Sequence, residues 1–492
     1  MFEGEPTKTE ASVIESFQTP NDAKDSNGIL LIPQPTNDPE DPLNWPSWRK
    51  RIVLVQVSLI SFLSLFSASL IVPTFVPLGK YLHKDLTDVA YVVSIFTAII
   101  SISPLVWNPI SNVYGRRPVY IVNLIATVAF SAASAASHDY GTLLAMRALC
   151  GLLGTAALGL GPATVCDLFF AHERGRYMGV YTLSFITGGH IAPIIGGYIE
   201  KNLTWRWCFY VPAIIAAALL ISFILTVPET LYSRTLDQST KSQPGSVQKI
   251  LMLRRAAPSN RLRPIDFLRP FQMLLYPSVV VPTVYYATSF GYGTILFILT
   301  STNIFSQLYH LQPYQVGVLL GIPLTVGSVI GECCAGYLSD LVSERRAIHR
   351  GGKRIPEDRF LAIYPGAILL PLGVAIEGVC ITHKTHWIGP AMGVAIASFG
   401  LQIVTTIIYA YIADCYKPQS AEIGAVLNFT RQIFSFCVGF YAIQTGQMIG
   451  FQDAWIIWAC INVATFLPVI ILVWKGERWR RALGTPKFHN DL

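Results

Sequence analysis

Charge is scarce in this chain. Asp, Glu, Lys and Arg make up 13% of 492 residues, about half the share of an ordinary soluble domain. Hydrophobic residues reach 52% and the mean hydropathy is +0.47. That apolar excess excludes a soluble globular chain and points to a membrane protein. Cysteine is sparse as well. The nine are scattered, Cys333 and Cys334 are adjacent and several others lie inside apolar runs, so neither a metal-ligand spacing nor a secreted disulfide framework is present. They read as small core residues. The first 50 residues are polar and rich in Pro, Asp and Asn, and they lack an apolar leader. No cleaved signal peptide is expected, and the first membrane helix does the targeting. Nucleophile-and-base pairs and His/Asp clusters are missing at membrane depth, where His190 stands alone, so neither an enzyme nor a cofactor is expected.

What the sequence has instead is apolar length. Twelve runs are long enough to cross roughly 30 Å of hydrocarbon as helices. Six lie near 52–78, 89–110, 118–137, 141–169, 176–199 and 208–228, and six near 275–301, 313–338, 360–381, 387–412, 420–446 and 453–474. The basic residues orient them. Placing both ends of the chain and the even-numbered gaps on one side puts 29 of the 36 Lys and Arg there, against five on the other side and two, Arg147 and Arg431, inside helices. By the positive-inside rule both termini are cytoplasmic. Positives clustered between apolar runs face a lipid bilayer, so nucleic acid is excluded as a partner despite a net charge of +7.

The expected fold is an all-α membrane protein of twelve transmembrane helices in two pseudo-symmetric six-helix bundles. A largely disordered tail, 1–50, precedes the first bundle, 51–229. A polar, basic linker broken by Pro and Gly, 230–274, leads to the second bundle, 275–475, and a short tail, 476–492. "NPISNVYGRR" (108–117) follows the second run and "GYLSDLVSERR" (336–346) follows the eighth, the equivalent place in the second half. Duplicated bundles suit a transporter that rocks about a central site.

Several stretches carry a family resemblance: "GRRP", "DPLNWPSWRK", "RALCG", "GGHIAPIIGG", "TWRWCFYV", "VPETL" and "IADCY". Over about 41–475 the chain resembles the major facilitator superfamily, in its fungal drug:proton antiporter-like, twelve-helix branch. The resemblance implies a secondary active transporter working by alternating access, with proton-coupled efflux of a hydrophobic or cationic drug, toxin or metabolite as the first expectation. Protons, a small organic substrate and the lipid bilayer are the expected partners, the plasma membrane the expected location, and a monomer the expected state. Proton-coupled uptake of a small cation such as a polyamine is the alternative, since "AEIGAVLNFTRQIFSF" resembles uptake-type members; a non-transporting nutrient sensor of the same fold is another.

Residue by residue, Gly115 permits a tight turn, and Arg116 and Arg117 sit at headgroup level. In the family this loop holds an aspartate that latches the halves; here Asn112 takes its place, and the acid reappears as Asp340 in the second half. In the fifth run Gly188, Gly196 and Gly197 allow close helix approach, while Pro193 supplies either a gating bend or simple packing. Arg147 and Arg431 are intramembrane charges, functional by default. Glu332 and His190 are the proton-coupling candidates. Gln56, Tyr285, Tyr286, Tyr292, Gln402, Tyr409 and Asn428 complete an expected cavity in which ring faces bind a flat or cationic molecule. Glu377 is a second acid available to pair with the arginines or to carry protons, or else, being near the outer end, is simply solvated.

Overall fold

The computed structural model describes residues 34–36, 38–232, 262–349, 356–416 and 420–484. The first half contains α1 (Ser47–Leu82), α2 (Leu86–Tyr114), α3 (Arg116–Ala136), α4 (Tyr140–Leu168), α5 (Ala171–Asn202) and α6 (Trp207–Thr226). The second contains α7 (277–309), α8 (Pro313–His349), α9 (Tyr364–Thr382), α10 (Ile388–Cys415), α11 (Ser420–Ile449) and α12 (Phe451–Leu483). Among the described residues eleven of these are long and apolar enough to cross a membrane. The remaining one, α7, runs from Pro277 to Phe290, passes through a π-turn at Gly291–Ile295 and resumes from Leu296 to Tyr309. A π-turn inserts an extra residue into the helical ladder, and such insertions favour functional sites.

Two helices of the first half break for readable reasons. Pro73 lacks an N–H, so α1 leaves regular geometry after Ser69 and passes through a 3-10 turn at Val72–Thr74. α4 breaks at Gly154, and its freed carbonyls find side chains on neighbouring helices. Trp107 Nε1 donates to the Leu152 carbonyl at 2.8 Å, Asn123 Nδ2 to Leu153 at 2.9 Å and Thr127 Oγ1 to Gly154 at 3.0 Å. Breaks are therefore tolerated because buried backbone groups stay paired.

Across the two halves, α5 lies along α8 and α2 lies along α11. A shift of six helices carries one pair onto the other, so the two seams are equivalent under the pseudo-symmetry expected of duplicated bundles. Glycines set the first seam. A Cβ on Gly197 would stand 2.6 Å from the Tyr314 Cα, and one on Gly321 would stand 2.6 Å from the His190 carbonyl. Between the seams is a small cavity of about 30 Å³. It is lined by α1, α2, α5, α7 and α11, and the halves are closed around it. Asp41, Pro42, Leu43 and Trp45, the last residues of the expected tail, are buried. Asp41 accepts from the Leu43 amide, Lys50 Nζ donates to the Leu43 carbonyl at 2.8 Å, and the Tyr232 hydroxyl donates to Asp38 at 2.9 Å. The linker residues 233–261 lie outside the described residues.

Candidate functional site

The basic end of the bundle is built around the α2–α3 turn. α2 ends at Gly115, whose φ of +101° favours glycine, and α3 begins at Arg116. The first amides of α3 have no intrahelical acceptor. Glu229, of "VPETL", supplies one. Its Oε1 accepts from the Arg116 N–H at 2.9 Å and its Oε2 from the Arg117 N–H at 3.1 Å, where the helix dipole favours an anion. Burial pushes the Glu229 carboxyl above its usual range, opposed by the amides of Leu231, Arg116 and Arg117 and by the Arg116 charge. The Arg116 guanidinium pairs with Asp167 at the end of α4 at 3.3 Å and donates to Ser111 Oγ at 2.7 Å and Asn112 Oδ1 at 2.9 Å. Arg117 donates to the Ile224 carbonyl at 2.7 Å. Asn112 thus joins the arginine as a neutral acceptor, while the acids beside it are Asp167 and Glu229. The Asp340 side chain lies outside the described residues.

Arg147 of α4 is 1% exposed. Its Nη1 donates to the Ser67 carbonyl at 3.1 Å, and its Nε makes a longer contact to the Val92 carbonyl at 3.4 Å. The guanidinium stacks 3.9 Å from the Phe96 ring. Ser67 belongs to the last turn of Ser47–Ser69, where carbonyls lack helix partners and the dipole favours a cation. Arg147 therefore caps the break in α1.

Arg431 of α11 is equally buried. Its Nη2 donates to Asn428 Oδ1 at 2.8 Å, and Asn428 Nδ2 reaches the Ile100 carbonyl of α2 at 3.3 Å. The guanidinium lies 4.3 Å from the Phe290 ring and 5.3 Å from the Phe185 ring of α5. Tyr286 makes a long contact to Nη1 at 3.5 Å and packs edge-on against Tyr409. Arg431, Asn428, Tyr286 and Tyr409 thus come together where the halves meet. Tyr285 and Tyr292 point elsewhere. Tyr285 packs on Phe466 of α12, and Tyr292 stacks on Trp458 of α12 and accepts from the Tyr441 hydroxyl at 3.1 Å, both inside the second half. Gln56 is hydrogen-bonded to the Ser222 hydroxyl of α6, within the first half.

A ladder of polar groups joins α5, α8 and α10. His190 Nδ1 meets Ser328 Oγ at 3.3 Å, and Ser328 Oγ meets Ser398 Oγ at 2.9 Å. One turn further along α8, Glu332 Oε2 accepts from Gln402 Nε2 at 2.6 Å and Thr406 Oγ1 at 2.5 Å. Its Oε1 faces α5, where a Cβ on Gly179 would stand 2.6 Å from it. No cation stands within ion-pair distance of Glu332 among the described residues. His190 Nε2 has no hydrogen-bond partner among the described residues, and the ring borders the cavity.

A profile of the Major Facilitator Superfamily matches residues 57–440. The chain belongs to this superfamily. It is 30% identical over 458 residues to the MFS-type transporter penM of Penicillium rubens, covering 92% of this chain and 89% of that one. The efflux pump radE of Floropilus chiversii is also 30% identical, over 463 residues, covering 93% of this chain and 85% of the pump. In fold the chain matches the human organic anion transporter MFSD10 (TETRAN) with a TM-score of 0.60 at 18% identity, over 86% of this chain and 100% of that one.

As a superfamily member the chain is a multi-pass membrane transporter and not an enzyme. Its helix-five motif lies in a continuous helix that passes through Pro193. Gly188 backs onto the Phe62 carbonyl and Gly196 onto the Leu70 carbonyl, both of α1, whereas Gly197 faces α8. Tyr181 and Phe185, one turn apart on α5, join the Arg431 cluster without having been singled out in the sequence. Tyr181 donates to the Ala157 carbonyl at 3.0 Å and packs against Phe185. Their aromatic character and i, i+4 spacing were the available signal. Glu377, expected to be solvated, is fully buried and accepts from Trp455 Nε1 at 2.7 Å.

Proposed function

We propose that this transporter exports a small, amphipathic organic molecule from the cytoplasm across the plasma membrane in exchange for protons, with both termini cytoplasmic. Glu332 carries the reading. An intramembrane carboxyl is costly and functional by default, and this one has two hydrogen-bond donors but no cation among the described residues. It stands on the α5–α8 seam, where rocking of the halves changes its surroundings, so proton binding and seam closure are linked. Export is supported by relatives named as efflux pumps, radE and the probable efflux pump mfs2 of Aspergillus flavus.

The test uses the purified full chain in liposomes with a trapped pH-sensitive dye, supplied with fluorescein or rhodamine 6G and an imposed pH gradient. Dye movement against its own gradient, coupled to proton movement, is expected. Glu332→Gln keeps acceptors for Gln402 and Thr406 and should retain dye exchange while losing the proton coupling. Coupling that survives the substitution would remove Glu332 as carrier.

A further inference from the structure

Most of the buried charged groups within the membrane-spanning helices hold a neighbouring element, and Arg431 holds only a neutral amide of its own helix. Arg147 caps α1, Glu377 holds Trp455, and Glu332 holds Gln402 and Thr406. Arg431 has no such duty. It is 1% exposed, its Nε lacks a hydrogen-bond partner, and no carboxylate pairs with it among the described residues. Its one short hydrogen bond goes to Asn428, a neutral amide.

The groups around it come from both halves and share one character. Tyr181 and Phe185 of α5, Tyr286 and Phe290 of α7, Tyr409 of α10 and Asn428 of α11 give ring faces, hydroxyls and an amide, with no carboxylate among the described residues around it. Taking a guanidinium out of water is strongly unfavourable unless a partner compensates it. Cation–π contacts offset only part of that. The planar fork of arginine matches a carboxylate or a phosphate bidentately. Rings flanking such a fork stack on an aromatic or apolar body attached to that acid.

We infer that the Arg431 cluster is the substrate site and that the cargo is an organic anion, an aromatic or apolar molecule whose acidic group pairs with Arg431. This deepens the export reading, on which it rests for the cargo being small and organic. The anion enters when the halves part, since Phe185 and the Asn428 contact to Ile100 close over the guanidinium in the closed arrangement. Tyr286 and Tyr409 then hold the ring system.

Equilibrium dialysis of the purified full chain tests this with fluorescein and 1-naphthoate as anions and rhodamine 6G as a cation sharing the xanthene ring system. The anions should bind saturably and the cation should not. Arg431→Gln should weaken anion binding about tenfold or more, the value of one charge-assisted contact, with Arg431→Lys in between. Asn428→Asp supplies an internal acid to Arg431, so it should support the fold and yet weaken anion binding to a similar degree, which keeps the test open if Arg431→Gln does not fold. Unchanged anion affinity in the folded variants, or absence of saturable anion binding, overturns the inference. The same dyes in proteoliposomes separate the two readings. Proton-coupled movement of rhodamine 6G alone leaves export standing and sinks the anion site. Arg431-dependent fluorescein binding without any dye movement keeps the site and removes export.

Discussion

Gly115 and Glu229 are fitted to one another: the Cβ that Gly115 lacks would stand 2.5 Å from Oε2 of Glu229. The same carboxylate accepts from the first two amides of α3. A turn that needs positive φ and an acid that caps the next helix therefore occupy one small volume.

Two substitutions at this turn should be non-additive. Glu229→Ala removes the cap, at about 0.5–2 kcal/mol. Gly115→Ala forces a side chain into positive φ, at roughly 1–2 kcal/mol, and displaces Glu229 as well. The single Gly115→Ala change thus already contains much of the cap loss, so the double variant should be more stable than the sum of the singles implies, by about 0.5–2 kcal/mol. Melting of the four detergent-solubilised proteins measures this, and strict additivity would mean that Glu229 does not cap α3.

Arg147 should be intolerant even of lysine. The guanidinium reaches the Ser67 and Val92 carbonyls together and lies flat on Phe96. A lysine ammonium is a point charge and cannot do all three. Arg147→Ala leaves the Ser67 carbonyl unpaired at the α1 break, a loss of about 1–3 kcal/mol in stability. We expect both variants to melt earlier than the parent, Ala more than Lys, and dye transport to be abolished in Arg147→Ala. A variant that melts and transports like the parent would show that water replaces the arginine there.

The helix runs, the two halves and the glycine-rich fifth helix could be read from the sequence because apolar length and small-residue spacing are local signals. Partners distant along the chain could not. Glu229 lies 112 residues from Arg117, and no periodicity links a carboxylate after one helix to the first amides of another. Nor could the orientation of rings. Lipid is as apolar as a packed core, so Tyr285 and Tyr292, turned into the second half, carry the same hydropathy pattern as Tyr286, turned toward Arg431. Glu377 was misplaced for a related reason: nearness to a helix end suggests water, and only packing reveals that Trp455 covers it. The π-turn at Gly291–Ile295 left only its two glycines as a clue.

The α5–α8 seam gives the last prediction. Gly321 and Gly197 bring backbone of one half against backbone of the other, so a methyl group at either position meets main-chain atoms that cannot swing away, and at Gly321 it meets the Ile194 side chain as well. A Cβ on Gly321 would stand 2.6 Å from the His190 carbonyl, and one on Gly197 would stand 2.6 Å from the Tyr314 Cα. Gly336, further along the same helix, has open space around it and serves as the control. Overpacking costs about 1–3 kcal/mol, and here the cost falls only on the arrangement in which the seam is closed. A cost confined to one state shifts the balance between states by roughly five- to hundredfold. A cysteine placed at Ser94, which lines the cavity, reports that balance through labelling by an impermeant thiol reagent. In Gly321→Ala and Gly197→Ala, labelling from the side at which α5 and α8 meet Tyr314 should rise and dye transport should slow, while Gly336→Ala should match the parent in both. If all three variants label and transport alike, the glycines serve packing within a static bundle, and the gate lies elsewhere.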